Sequence, residues 1–144
     1  MLALLVLNFP RWTYAPFTPH QVASQALQLI AAVLVVHAVR MLRKAGRPNN
    51  ERHETELYSF EKTSTLVTSG AYRYIRHPMY ASLLFLTWGI FLKDISLLSV
   101  VLTVGASIAI FVTALRDEAE CRKHFGAAYV EYMKTNKRFI PFLF

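Results

Sequence analysis

Long apolar runs broken by polar, basic segments dominate the chain, and they predict membrane-length helices rather than the face-by-face alternation of a soluble fold. A spanning helix needs about 20 mostly apolar residues. Val22 to Leu42 supplies one, its middle interrupted only by Gln28 and His37. Pro78 to Leu92 is apolar and aromatic, Lys93-Asp94 interrupts it, and Ile95 to Leu115 is apolar again. This predicts a helical hairpin over 78–115. Its first arm rises only about 22 Å, so it is short, tilted or sheltered by neighbours. Lys93-Asp94 suits the tip, where a charged pair reaches headgroups. Met1 to Phe9 would rise only about 14 Å as a helix and predicts a half-span or re-entrant anchor. Pro10 to Pro19, with Trp12, Tyr14 and Phe17, follows as an interfacial stretch. The expected fold is an all-α integral membrane protein of about three transmembrane helices plus an N-terminal half-span.

Composition agrees. Of 144 residues 54% are hydrophobic and 17% charged, against about 45–50% and about 25% in soluble domains. That disfavours a water-soluble enzyme, a disordered tail and a secreted disulfide scaffold, the last because there is one cysteine. The net charge of +7 points to a membrane surface, with no nucleic-acid partner expected. The cations are unevenly placed. Arg40, Arg43, Lys44, Arg47, Arg52, Lys62, Arg73 and Arg76 lie between the first span and the hairpin. Arg116, Arg122, Lys123, Lys134, Lys137 and Arg138 follow it, leaving Arg11 and Lys93 for the other face. The positive-inside rule then puts both basic segments on the cytoplasmic side. A single domain is expected over 1–144. It comprises an anchor and first span (1–45), a cytoplasmic loop (46–65) and a core (66–144). The loop holds Gly46 to Glu54, a polar stretch in which His53 reads as a solvated histidine.

Two polar, aromatic stretches flank the hairpin. In Leu66 to Ser82, Tyr72, Tyr74, Arg76, His77 and Tyr80 crowd together, and Pro78 suits the first turn of a helix. His77 then falls at the helix cap, where unpaired N–H groups attract anions. The same residues also describe an interfacial anchor. In Arg116 to Pro141, Phe125, Tyr129, Tyr132 and Met133 recur at helical spacing, which predicts an amphipathic helix whose aromatics pack. Asp117-Glu118 reads either as a solvated helix end or as a grip on hydroxyls or a cation. Cys121 reads as a small packed hydrophobe. There is no metal-ligand spacing and no phosphate-binding glycine loop.

Taken together, GAYRYIRHPMY and the later DE-x-x-C-x-x-x-FG-x-x-Y-x-x-Y with its closing RFIP resemble the isoprenylcysteine carboxyl methyltransferases, which group with the membrane phospholipid methyltransferases. The resemblance covers about Leu66 to Phe142. It implies an S-adenosylmethionine-dependent methyltransferase acting on a lipid-like acceptor from the bilayer, best matched by a prenylated cysteine carboxylate. It also implies a cofactor pocket at the cytoplasmic face, covered by the C-terminal amphipathic helix. By position Leu66, Val67 and Tyr72 would line that pocket, with His77 and Tyr80 holding polar groups and Pro78 and Met79 shaping the turn. Asp117 and Glu118 would supply the family's acidic pair, usually Glu-Glu. Glu118 and Arg116 would be the catalytic candidates, Arg116 as the nearest match to the substrate-gripping arginine. Alternatives are a phospholipid N-methyltransferase, an NADPH-dependent membrane reductase of related fold, and a non-catalytic lipid-binding protein. An amine acceptor must first lose a proton and so requires a base, whereas a carboxylate is already ionised at neutral pH.

Overall fold

A computed structural model of the chain describes residues 2–9, 18–45 and 65–142. The interfacial stretch with Trp12, Tyr14 and Phe17, and the polar loop with His53, lie outside them. The described residues are mainly helical, with a single isolated β-bridge between Ile75 and Lys137. In order they form α1 (Leu2–Asn8), α2 (Pro19–Ala45), a 3₁₀ turn (Gly70–Arg73), α3 (Pro78–Phe91), α4 (Leu97–Phe125) and α5 (Ala127–Thr135). The expected all-α class is therefore what the chain adopts. Among the described residues α2 and α4 are long and apolar enough to cross a membrane, while α3 is apolar over 14 residues. α4 is about 43 Å long. Its apolar part, Leu97 to Leu115, matches the hydrocarbon thickness at about 28 Å. Arg116 to Phe125 carries the charged residues beyond that part.

Two compact units result, one from 1–33 with 80–116 and one from 34–79 with 117–144. In the first, polar groups point inward and aliphatic ones outward. Gln21, Ser24, Thr87, Ser99 and Thr103 are buried, while Leu29, Val33, Leu97, Val101, Val104 and Ile108 are exposed. In water such apolar surface would be costly, whereas lipid tails accept it and penalise unsatisfied polar groups. The internal hydrogen bonds follow from that penalty. Ser24 Oγ donates to the Gly89 carbonyl at 2.6 Å, and Gln21 Nε2 to the Lys93 carbonyl at 3.0 Å. Gly89 makes the first approach possible, since a Cβ there would meet the Ser24 carbonyl at 3.2 Å. The Gln21 bond also pins the hairpin tip, and Lys93 is buried there instead of extending to headgroups. At the tip Ser96 and Ser99 exchange hydroxyl bonds with each other's backbone N–H, at 2.9 and 3.2 Å. This satisfies two amides that would otherwise be unpaired at the start of α4.

The second unit holds the polar ends of the helices. Gly126, with φ +56°, ends α4 and starts α5, a left-handed conformation that glycine adopts without steric cost. α5 buries Tyr129 and Tyr132 as the spacing predicted. After α5 the chain runs beside residues 74–77. Lys137 N–H donates to the Tyr74 carbonyl, Arg76 N–H to the Lys137 carbonyl and His77 N–H to the Arg138 carbonyl.

Candidate functional site

His77 is placed by Pro78. The proline begins α3 without needing an N–H partner, so the residue before it sits at the foot of the helix, where its own N–H bonds Arg138. Its ring lies against both members of the acidic pair. Nε2 is 3.2 Å from Glu118 Oε1 and Nδ1 is 3.5 Å from Asp117 Oδ2. Glu118 is the centre of the cluster. Its Oε1 also accepts from Arg76 Nε at 3.0 Å and Arg138 Nε at 2.9 Å, and its Oε2 from Arg138 Nη2 at 2.9 Å. The Arg138 contact is bidentate, the geometry a guanidinium fork makes with a carboxylate. Arg76 continues into the backbone, its Nη1 donating to the carbonyls of Met133 and Asn136. One carboxylate thus ties together α4, the start of α3 and the segment after α5.

The electrostatics follow from this wiring. Burial on its own would raise the Glu118 carboxyl, but hydrogen bonds from His77, Arg138 and Arg76 outweigh it. Together they hold the group well below the usual carboxylate range. The Glu118 bond in turn raises Arg138. Tyr129 and Tyr132 are pushed up by burial and held as neutral phenols. Asp117 differs from Glu118 in access, its side chain 23% exposed against 3%.

A second layer of bonds fixes the preceding loop. Tyr132 donates its hydroxyl proton to the Tyr72 carbonyl, and Asn136 Nδ2 donates to the carbonyls of Tyr72, at 3.0 Å, and Arg73. Beside this loop a cavity of about 450 Å³ is lined by Leu66, Thr68, Arg73, Glu131, Thr135 and Asn136, among others.

The phospholipid methyltransferase family matches residues 20–128. The chain belongs to that family. Searches of curated proteins and of solved structures found no match. Membership and the two long apolar helices make the protein a membrane methyltransferase.

Against that identity, the structure joins His77, Asp117 and Glu118 in one cluster. Pro78 and Val67 are buried, whereas Tyr72, Met79 and Tyr80 are half-buried. Of the expected pocket residues Leu66 alone lines the cavity. Arg116 is exposed, one position before Asp117 on α4. Cys121 is half-buried with Sγ 3.9 Å from Asp117 Oδ1. Sequence spacing missed Asn136 and Arg138, and it left Arg76 between an interfacial anchor and a grip for an outside anion, whereas its anion is Glu118. The available signal was the run of polar residues Asn136-Lys137-Arg138, just past a helix end.

Proposed function

We propose that the protein transfers a methyl group from S-adenosylmethionine to the carboxylate of a prenylated cysteine or a similar amphiphilic acid, at the cytoplasmic face of the membrane. Asp117 fits the cofactor's cationic methionine end, because it is the reachable carboxylate of the pair. His77 and Tyr80 would hold polar groups of the cofactor, and Leu66, Val67 and Tyr72 its apolar flank. Bound there, S-adenosylmethionine supplies an electrophilic methyl on a sulfonium. In-line displacement of that kind needs positioning and field more than proton transfer. Glu118 acts as a positioning residue: it fixes Arg76, His77 and Arg138, and His77 in turn lies beside Asp117. Arg116 would orient the acceptor carboxylate, which gains reactivity as it leaves water at the bilayer edge.

One observation carries the choice of acceptor. Glu118 is stabilised as an anion by three donors and is therefore a poor base, Tyr129 and Tyr132 are stabilised as phenols, and the ring nitrogens of His77 are engaged by Glu118 and Asp117. An ionised carboxylate needs no base, whereas a phospholipid amine does. The family description favours the second reading, phospholipid N-methylation.

The test is radiolabelled-methyl transfer by the purified protein in nanodiscs, with S-adenosylmethionine and either farnesylcysteine analogues or phosphatidylethanolamine. The expected product is a methyl ester, whose label is released as volatile methanol by mild base. Base-stable label in the phospholipid alone supports the N-methyl reading. No transfer to either acceptor overturns both.

A further inference from the structure

The second unit carries an aromatic and cationic surface that the cluster does not use. Tyr74 is 52% exposed, Ile140 43% and Phe142 85%. Tyr74 and Phe142 meet edge to face, ring centroids 6.4 Å apart. Phe142 holds φ +66°, a left-handed conformation unfavourable for an L-residue, at the point where the ring meets Tyr74. Arg73 and Lys137 are also exposed, Arg73 next to Tyr74 in the chain and Lys137 joined to it by its N–H bond to the Tyr74 carbonyl. Ile75 and Phe139 are buried while Tyr74, Lys137 and Ile140 are exposed, and the bridge between Ile75 and Lys137 holds the two segments side by side.

We propose that this patch is a seat for an anionic leaflet surface, with Tyr74, Ile140 and Phe142 entering the headgroup layer and Arg73 and Lys137 meeting lipid phosphates. Two features select lipid as the occupant. Tyr74 lies four residues before Pro78, where the apolar helix α3 begins, so chain connectivity keeps it near the level at which an apolar helix enters the bilayer. Its chemistry also matches that layer, since amphipathic aromatics and cations concentrate at headgroup depth and a basic rim attracts acidic lipid. The seat would hold the 136–139 segment, and with it Arg138, against the membrane. It stands independently of which acceptor is methylated.

The test uses the full chain in nanodiscs, with a nitroxide on Phe142→Cys in a Cys121→Ala background, and compares collisions with oxygen and with a water-soluble nickel complex. In phosphatidylcholine discs containing phosphatidylglycerol the label is expected to favour oxygen, the mark of immersion. Lys137→Glu is expected to lower the ratio of immersed to free label about fivefold, with a smaller change in pure phosphatidylcholine. A label as open to nickel as one in water overturns the seat. Shielding from both reagents also overturns it, by showing that protein covers the patch. Immersion indifferent to Lys137→Glu in both lipids removes the anionic partner and overturns the proposal as stated.

Discussion

Glu118 carries one negative charge and is held by two guanidinium groups and an imidazole, so its loss affects more than itself. Glu118→Ala leaves Arg76 and Arg138 without their counter-ion in a half-buried site, and breaking a pair in this way costs about 3–5 kcal/mol. The expected result is a large fall in the midpoint of thermal unfolding in detergent. Glu118→Gln keeps the shape and should fall less. The pH dependence has a definite sign. Because folding lowers this carboxyl, its contribution is complete above the unfolded value of about 4.3 and is lost as pH falls below it, so the Gln variant should show a flatter acid limb. Asp117→Asn is expected to behave in the opposite way. Its unfolding midpoint should stay near wild type while S-adenosylmethionine affinity by calorimetry falls about tenfold, the scale of one charge-assisted hydrogen bond. Equal losses of stability in the two variants would remove the division of labour between these neighbours. His77-Pro78 was legible from local spacing, and the acidic pair from the family resemblance, since spacing alone left that pair open. Asn136 and Arg138 were not, since their partners lie 63 and 20 residues away and only the folded chain brings them together.

The long helices were legible from the length of their apolar runs, and what decides their packing is a few small or polar residues. Gly70, with φ +62°, has no room for a side chain, since a Cβ would meet His37 Nε2 at 2.7 Å and Met41 at 2.8 Å. Gly70→Ala therefore combines backbone strain with a clash and should cost about 1–3 kcal/mol, measured as a lower unfolding midpoint. The hydroxyls of α4 differ in a way the sequence did not signal. Thr113 Oγ1 donates to the Ala109 carbonyl four residues back, but among the described residues Thr103 Oγ1 and Ser107 Oγ are buried without a partner. A buried unsatisfied hydroxyl is unfavourable by about 1–3 kcal/mol, and an apolar group of the same shape removes that penalty. Thr103→Val is accordingly expected to raise the unfolding midpoint. A fall would mean that this hydroxyl has a partner in the bilayer-embedded protein.

At the scale of the whole chain, α4 links the hairpin tip to the charged cluster, and its length sets a test that no single contact does. Leu97 to Leu115 is apolar for about 28 Å, sufficient to cross the hydrocarbon core. The hairpin tip at 93–96 and the residues after Gly126 must then face opposite sides of the membrane. The distribution of cations adds a direction, with Arg116, Arg122, Lys123, Lys134, Lys137 and Arg138 after the span and Lys93 alone beside the tip, so the later side is expected to be cytoplasmic. Two exposed positions report on this, Ile95 at the tip and Glu131 on α5. In a Cys121→Ala background, Ile95→Cys should react with a membrane-impermeant maleimide only from outside sealed cells, and Glu131→Cys only in inverted vesicles. Reaction of both from one side would mean that α4 does not cross, and the membrane reading of the longest helix would fall. Opposite sides in the reverse sense would leave the crossing intact but move the Glu118 cluster to the outer face, away from any cytoplasmic supply of S-adenosylmethionine.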